Sequence, residues 1–210
     1  MSIPTIRKYL QESISTISIP IDITWIAIDF DGVLAISAKT KSEIQTSMTD
    51  REKNLFKVHS QIVGISFKRK KTYMEAASIL KLSNDVIEEI LDLYSSKLEL
   101  NHNLFNACIK SRKKLLVLSN NFGVPISGWL KRKSIDKYIH HVITPDSVRH
   151  SFRKPFPEMY KHALKIIGEP YPERLLFIDD RHDYIEGAKA LNIQTIHYTH
   201  PTNKTGSGMI

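Results

Sequence analysis

The chain has 210 residues, of which 41% are hydrophobic and 25% charged, as expected of a globular protein that buries one sizeable core. Its net charge of +8 favours an anionic substrate, a nucleic acid or simply a lysine-rich surface. The single Cys108 excludes a disulfide framework and a cysteine metal site, so we expect a core thiol in a reducing compartment. No apolar run is long enough to span a membrane, and residues 1–20 lack the apolar stretch of a signal peptide. These features predict a cytoplasmic protein.

Apolar, β-branched runs predict five strands, at residues 23–30, 114–118, 138–144, 174–178 and 193–198. Helical periods lie between most of them, at residues 127–132, 157–167 and 184–191. Strands that alternate with helices form parallel sheets with helices on both faces. The sequence therefore predicts an α/β fold with a Rossmann-like, doubly wound parallel sheet.

One segment interrupts this alternation. Residues 38–109 contain no good strand pattern, but helical periods occur at residues 49–61, 72–82 and 85–98. Ser83 stands where the last of these helices needs an N-cap residue. We interpret the segment as a helical cap inserted after the first strand, so that residues 1–37 and 110–210 form the core.

A cap at this position overhangs the carboxyl end of the first strand. It can exclude water from a site there and contact the substrate, or it can serve stability alone. We expect its substrate contacts in the loop at residues 36–39 and in the basic stretch at residues 68–73. The glycine-containing residues 202–210 are expected to fray.

Two acidic residues stand at the end of the first predicted strand. Asp29 ends the β-branched run, and Asp31 follows it with Gly32 beside it. A carboxylate at a strand end faces the crevice of an open α/β sheet, so Asp29 can attack phosphorus as a nucleophile. Asp31 can protonate the leaving group and then activate water if its pKa is raised, and Gly32 permits a tight turn close to phosphate. Taken alone, such a pair more often marks a strand end followed by a turn.

Polar residues also follow the second predicted strand and precede the helix at residues 157–167. Ser119 and Asn120 offer a hydroxyl and a backbone amide to a phosphoryl oxygen, although Ser119 is equally suited to capping the next helix. Lys154 precedes Pro155, whose fixed geometry holds the lysine on an extended segment. Its charge suits an anionic transition state, although a lone lysine is ordinarily a surface residue.

Asp179 and Asp180 close the fourth predicted strand. Adjacent carboxylates repel each other unless a cation shares them. Hard oxygen ligands close to phosphate favour Mg²⁺, so this pair predicts a magnesium site.

Taken in this order, the motifs resemble those of the haloacid dehalogenase-like hydrolase superfamily. The likeness extends over residues 25–198 and is carried by residues 29–34, 153–160, 177–180 and 187–191. Residue by residue, it implies Asp29 as the nucleophile and Asp31 as the general acid and base. It also implies that Ser119 binds the phosphoryl group and that Lys154 neutralises its charge.

The resemblance further implies two sets of binding residues. The phosphate-binding set comprises Phe30, Gly32, Ser119, Asn120 and Lys154. The magnesium set comprises the Asp29 carboxylate, the backbone carbonyl of Asp31 and Asp180, with Asp179 nearby. The family has Asp or Asn where this chain has Tyr184, so metal binding should be weaker than usual unless Asp183 substitutes.

The position of the insertion is similar to that of family members with a small helical cap, which mostly hydrolyse small phosphorylated metabolites. The family's dehalogenases lack the second aspartate, so Asp31 favours phosphate ester cleavage over carbon–halogen cleavage. We therefore hypothesise a Mg²⁺-dependent phosphate monoester hydrolase that acts on a sugar phosphate or nucleotide through an aspartyl phosphate. The alternatives are a catalytically impaired binding protein with this fold and a polynucleotide phosphatase, and salt-sensitive oligonucleotide binding would indicate a nucleic-acid function.

Overall fold

The computed structural model describes residues 19–200, and its centre is a five-stranded parallel sheet. The strands are β1 (Trp25–Ile28), β4 (Lys114–Leu118), β5 (Ile139–Ile143), β6 (Leu175–Asp179) and β7 (Gln194–His197), while the short β2 (Ala35–Ile36) and β3 (Glu99–Leu100) pair separately. The predicted strands are all confirmed, with ends that differ by about one or two residues.

The strand order reverses at β1. The spatial order within the described residues is β5, β4, β1, β6, β7, so later strands extend the sheet on the opposite side of β1 from β4 and β5. Ile28, at the end of β1, pairs with Val117 of β4 and Ile178 of β6. The carboxyl ends of these three strands are therefore level, and open α/β sheets bind ligands at such a reversal.

Helices cover both faces of the sheet. They are α1 (Lys41–Thr46), α2 (Asp50–Arg69), α3 (Tyr73–Ile79), α4 (Asn84–Ser96), α5 (His102–Lys110), α6 (Gly123–Arg132), α7 (Pro157–Ile167) and α8 (His182–Lys189). Ile26 and Ile28 belong to an apolar cluster with α5 and α6, whereas Ala27 belongs to a cluster with α7 and α8. Successive strand residues thus face opposite helical layers, which confirms the doubly wound α/β fold.

Helices α1 to α4 lie in the segment that follows the first strand. Three of them begin with capping boxes, in which Thr40, Thr49 and Thr72 each pair with the glutamate three residues later. Ser83 caps α4, as predicted. At the two ends of the segment, β2 and β3 pair in antiparallel fashion. The expectation that residues 38–109 contain no strand is wrong at β3, because two residues are too few to show a strand period.

Helix α5 is not marked by the sequence pattern, and it packs on the sheet. Its buried Leu104, Phe105 and Cys108 join the apolar cluster beneath β1. We therefore propose that the inserted segment ends near Ser96 rather than at residue 109. Cys108 is fully buried, as predicted for a core thiol, and burial raises the pKa of its thiol to about 12.

The inserted helices share a third apolar cluster with the loop that follows β4. Ile62 of α2, Tyr73 of α3 and Leu91 of α4 are buried together with Phe122 of that loop. The inserted helices therefore sit over the carboxyl edge of the sheet. None of the helices described between residues 19 and 200 is both long and apolar enough to cross a bilayer. The expectations for residues 1–18 and 202–210 fall outside the described part of the chain.

Candidate active site

A buried charge cluster lies at the carboxyl edge of the sheet, between the ends of β1 and β6. Lys154 Nζ lies 2.7 Å from Asp29 Oδ1 and 2.6 Å from Asp179 Oδ2. Burial raises the pKa of the Asp29 carboxyl, and the positive charge of Lys154 opposes that shift. Burial lowers the pKa of the Lys154 ammonium, but the two carboxylates reverse this, and its net shift is upward. The lysine therefore stays charged between two acidic side chains.

Asn120 holds the backbone of Lys154 in place. Asn120 Oδ1 accepts a hydrogen bond from the Lys154 N–H, and Asn120 Nδ2 donates one to the Lys154 carbonyl, each at 2.8 Å. Asn120 Nδ2 also donates to the Tyr184 hydroxyl. The peptide bond between Lys154 and Pro155 is cis. The Asn120 side chain thus positions the lysine, and the predicted contact of its backbone amide with phosphate stays a prediction.

Asp31 lines the same cleft as Asp29 and is held by two further side chains. Asn121 Nδ2 donates a hydrogen bond to Asp31 Oδ2 at 2.9 Å, and the Tyr94 hydroxyl of α4 donates to Asp31 Oδ1 at 3.4 Å. Burial raises the pKa of the Asp31 carboxyl, and the hydrogen bond from Asn121 opposes that shift only in part. A raised pKa is what a carboxylic proton donor requires.

Asn121 and Tyr94 are site residues that the motif pattern did not identify. Asn121 directly follows Ser119 and Asn120 after β4, and that position is a signal that could have found it. Tyr94 occupies one buried position among several on α4, so its sequence context does not distinguish it from a core aromatic residue.

Ser119 is buried and lines the cleft. Its Oγ accepts a hydrogen bond from the backbone N–H of Asn121 at 3.1 Å. Helix α6 begins after Phe122 without a side-chain cap. The alternative role of Ser119 as a helix cap is therefore wrong, while its predicted phosphoryl contact stays a prediction.

Phe30 and Gly32 shape the turn that follows β1. The Phe30 ring is fully buried and packs edge-on against Trp129, with their centroids 5.1 Å apart. Any contact of Phe30 with phosphate is thus restricted to its backbone. Gly32 adopts a φ of 84°, and its N–H donates to the Ala35 carbonyl at 2.8 Å. This closes the predicted tight turn, which a residue with a β-carbon would strain.

Three carboxylates at this edge could hold a metal ion. One oxygen from each of Asp29, Asp179 and Asp180 lies within 4.8 Å of the others. Asp179 accepts hydrogen bonds from Lys154 and from the backbone N–H of Arg181. Asp180 Oδ1 is buried with no hydrogen-bond partner among the described residues, and burial, followed by the charge of Asp179, raises the pKa of Asp180 to about 6. A buried carboxylate oxygen without a partner fits a hard cation such as Mg²⁺.

A family model for haloacid dehalogenase-like hydrolases matches residues 23–192, a range that includes all the motif residues of this site. The chain belongs to the haloacid dehalogenase-like hydrolase family. The resemblance drawn from the motifs is thereby confirmed, and hydrolysis is the reaction type of the family.

Two curated relatives match parts of the chain. The pyrophosphatase PpaX of Bacillus cereus is 27% identical over 107 residues, which are 51% of this chain and 45% of that protein. The glyceraldehyde 3-phosphate phosphatase of Pyrococcus abyssi is 33% identical over 78 residues, which are 36% of this chain and 32% of that protein. The chain thus matches less than half the length of either relative.

Solved structures of family members share the fold. One is an enzyme of the family from Bacteroides thetaiotaomicron, in complex with magnesium and inorganic phosphate, with a TM-score of 0.58 at 19% identity. The match covers 88% of this chain and 98% of that enzyme's chain. Another is the L-2-haloacid dehalogenase of Xanthobacter autotrophicus, with chloropropionic acid covalently bound, with a TM-score of 0.54 at 16% identity. The match covers 82% of this chain and 76% of the dehalogenase chain. At these identities the likeness concerns the fold alone.

Tyr184 is the point at which this family member departs from the motif pattern. Its hydroxyl accepts the hydrogen bond from Asn120, and its ring lies 4.8 Å from Lys154 Nζ and 4.4 Å from the Arg181 guanidinium. Asp183 is half exposed and pairs with Arg181 at 2.8 Å, so the structure does not bring it into the carboxylate group. The expectation of weaker metal binding in this family member stays a prediction.

A cleft of about 360 Å³ opens above Asp29. Val63 and Phe67 of α2 form part of its wall, and neither residues 36–39 nor residues 68–73 line it. The contacts of both expected segments with the substrate therefore stay a prediction, and neither segment lines this cleft. The reason is helical periodicity, because Val63 and Phe67 share one face of α2 while Lys68 lies on an exposed face.

Gly187 of α8 allows that helix to touch the segment that carries Lys154. A β-carbon at this position would lie 2.5 Å from the Pro155 carbonyl oxygen, which belongs to the backbone and cannot rotate away. We expect Gly187→Ala to lower the free energy of unfolding by about 1–3 kcal/mol, as overpacking does. Gly64→Ala on α2 is the matched control, since a β-carbon there meets no atom within 4 Å. Chemical denaturation of both variants measures the difference, and equal stabilities would contradict the close contact.

Proposed function

We propose that this chain is a Mg²⁺-dependent phosphate monoester hydrolase that acts on a small phosphorylated metabolite through an aspartyl phosphate at Asp29. The observation that supports it best is the second carboxylate, Asp31, held by Asn121 and Tyr94 beside the nucleophile. A halide leaving group needs no proton, whereas an alkoxide does. A buried carboxylic acid with a raised pKa supplies that proton.

In the first step, Asp29 attacks the phosphorus atom from the sheet side. An oxygen–phosphorus bond to Asp29 forms, the ester bond breaks, and the proton of Asp31 passes to the departing alcohol oxygen. Lys154, 2.7 Å from Asp29 Oδ1, favours the ionised form of the nucleophile against the effect of burial and lowers the cost of gathering anionic oxygens around it.

In the second step, water attacks the phosphorus atom of the aspartyl phosphate. Asp31, now ionised, accepts a proton from that water, and the bond between Asp29 and phosphorus breaks. Inorganic phosphate leaves and Asp29 is regenerated as a carboxylate. Ser119 lies buried at the cleft, where its hydroxyl can donate to a phosphoryl oxygen.

Asp29, Asp180 and the backbone carbonyl of Asp31 would hold Mg²⁺, and Asp179 would orient Lys154 beside them. When bound, the ion neutralises charge on the phosphoryl oxygens and on the carboxylate group. Asp180 Oδ1, which has no hydrogen-bond partner among the described residues, is an atom that such an ion would satisfy.

Phosphate release from a panel of phosphorylated metabolites tests the proposal. Each compound is assayed with Mg²⁺ and with EDTA, and the Asp29→Asn variant serves as the blank. Metal-dependent release by the wild type alone supports a phosphatase. Absence of release from every compound would favour a catalytically impaired binding protein.

Replacing Asp31 by Asn should lower kcat by roughly 10²- to 10⁴-fold for an alkyl phosphate, because the proton donor is lost. The loss should be smaller for p-nitrophenyl phosphate, whose leaving group departs without protonation. Steady-state kinetics of the variant on both substrates make the comparison. Equal losses on the two substrates would remove Asp31 from proton donation to the leaving group.

Two of the basic clusters in the sequence, at residues 112–114 and 131–133, give no support to a polynucleotide substrate. Residues 112–114 precede or begin β4, so they lie at the opposite edge of the sheet from Asp29. In the cluster at residues 131–133, Arg132 pairs with Glu88 and Asp92. Binding of oligonucleotides that weakens with added salt would instead support a polynucleotide phosphatase.

A further inference from the structure

The wall that the inserted helices contribute to the cleft is apolar. Val63 and Phe67 stand four residues apart on one face of α2, and both line the cleft. Phe122, from the loop after β4, continues this wall, with its ring centroid 5.3 Å from that of Phe67 in an edge-on arrangement. An aliphatic and two aromatic side chains thus adjoin one another above the base that Asp29 forms.

Phe67 is held in place while much of its surface stays available. Its ring lies 4.5 Å from the ring of His150, which in turn shares a hydrogen bond with Ser66 at 2.9 Å. Phe67 is nevertheless 41% exposed. A fixed aromatic ring with that much exposed surface gains free energy when a ligand covers it, in proportion to the apolar area removed from water.

The polar groups of the cleft come from the other side. Asp29, Asp31 and Ser119 form its base, and Asn120, Asn121, Arg153, Arg181 and Tyr184 line it from the core. Among the described residues that line the cleft, those of the inserted helices are Val63 and Phe67, and neither offers a polar group. A leaving group rich in hydroxyls would need hydrogen-bond partners along this wall. Hydrocarbon side chains offer none, and a hydroxyl that loses water without gaining a partner weakens binding.

From this wall we infer that the enzyme prefers phosphate monoesters whose leaving group carries an apolar, aromatic moiety over monoesters of polyhydroxylated alcohols such as sugars. The inference rests on the proposed function, which places the phosphoryl group at Asp29, and it adds that the leaving group extends toward α2. A cleft of about 360 Å³ is of the size that holds a small ligand of this kind.

Two substrates with similar primary alcohol leaving groups test the preference, phenylpropyl phosphate and glycerol phosphate. We expect kcat/KM to be at least about tenfold higher for the phenylpropyl ester, the scale of hydrophobic discrimination in enzyme pockets. Phe67→Ala should remove most of that ratio. Ile79→Ala is the matched control, because Ile79 lies in α3 outside the cleft and its side chain is 40% exposed, much like that of Phe67. This variant should leave the ratio of the two kcat/KM values unchanged. Equal kcat/KM values for the two esters in the wild type would overturn the inference.

A binding measurement separates this inference from the proposed function. Calorimetry compares phenylbutylphosphonate with dihydroxybutylphosphonate, which mimic the two esters and cannot be hydrolysed. If neither ester is cleaved but the phenyl phosphonate binds about tenfold more tightly, the hydrolase proposal fails and the apolar subsite stands. If the two phosphonates bind equally, the subsite is refuted whatever the activity. Val63→Thr, which keeps the side-chain shape and replaces a methyl group by a hydroxyl, should reduce the difference in affinity between the two phosphonates. This test remains available if Phe67→Ala fails to fold.

Discussion

Replacing Asp29 by Asn should abolish phosphate release, because a carboxamide cannot form the aspartyl phosphate. The fold should persist, since Asn retains an oxygen that can accept the hydrogen bond from Lys154 Nζ at 2.7 Å in the native chain. The loss should therefore appear in turnover and not in thermal stability. Single-turnover assays and a melting curve on the same preparation measure both quantities.

Asp22→Asn is the matched control for that experiment. Asp22 is exposed and precedes the amino end of β1, at the opposite edge of the sheet from Asp29. We expect that variant to retain wild-type turnover. Full activity in a folded Asp29→Asn protein, with its mass checked to exclude deamidation, would end the case for nucleophilic catalysis at this residue.

Replacing Lys154 by Met should have the second largest effect, and it should act on stability as well as on turnover. The change leaves Asp29 and Asp179 buried at one place without the cation that both contact. Removing one partner of a buried ion pair costs about 3–5 kcal/mol of stability, because the remaining charge is uncompensated. Urea denaturation measures the loss, and Lys161→Met, at an exposed position of α7, should change the free energy of unfolding little.

The pH dependence of the Lys154→Met variant follows from the same contacts. Burial and the charge of Asp179 raise the pKa of Asp29, and in the variant the opposing charge of Lys154 is gone. A carboxyl whose folded pKa lies above its unfolded pKa gives stability at low pH that is lost as pH rises through the folded pKa. The variant's loss in free energy of unfolding, relative to wild type, should thus be larger at about pH 8 than at about pH 5. A loss in free energy of unfolding that does not depend on pH would mean that the variant buries no uncompensated carboxylate.

The residues at the strand ends were predictable from the sequence pattern. Asp29, Ser119 and Asp179 each end or follow a run of apolar residues, and parallel strands deliver their carboxyl ends to one edge. Their proximity was therefore predictable, and so was the helix of α7, with proline at its start and Gly168 at its end. The contact between Asp179 and Lys154 was not predictable, because it depends on which carboxylate oxygen faces the lysine in three dimensions.

The sequence by itself determined the chain order of the five strands in the central sheet and the set of charged residues at the sheet edge, because apolar periodicity and residue chemistry are local properties. Only the tertiary structure decided that Tyr94 and Asn121 hold Asp31, that Asn120 positions Lys154, and that Phe67 lines the cleft. These contacts join residues far apart in the chain. They depend on how α2 and α4 pack over the loop after β4, and side-chain packing in three dimensions leaves no period in a sequence.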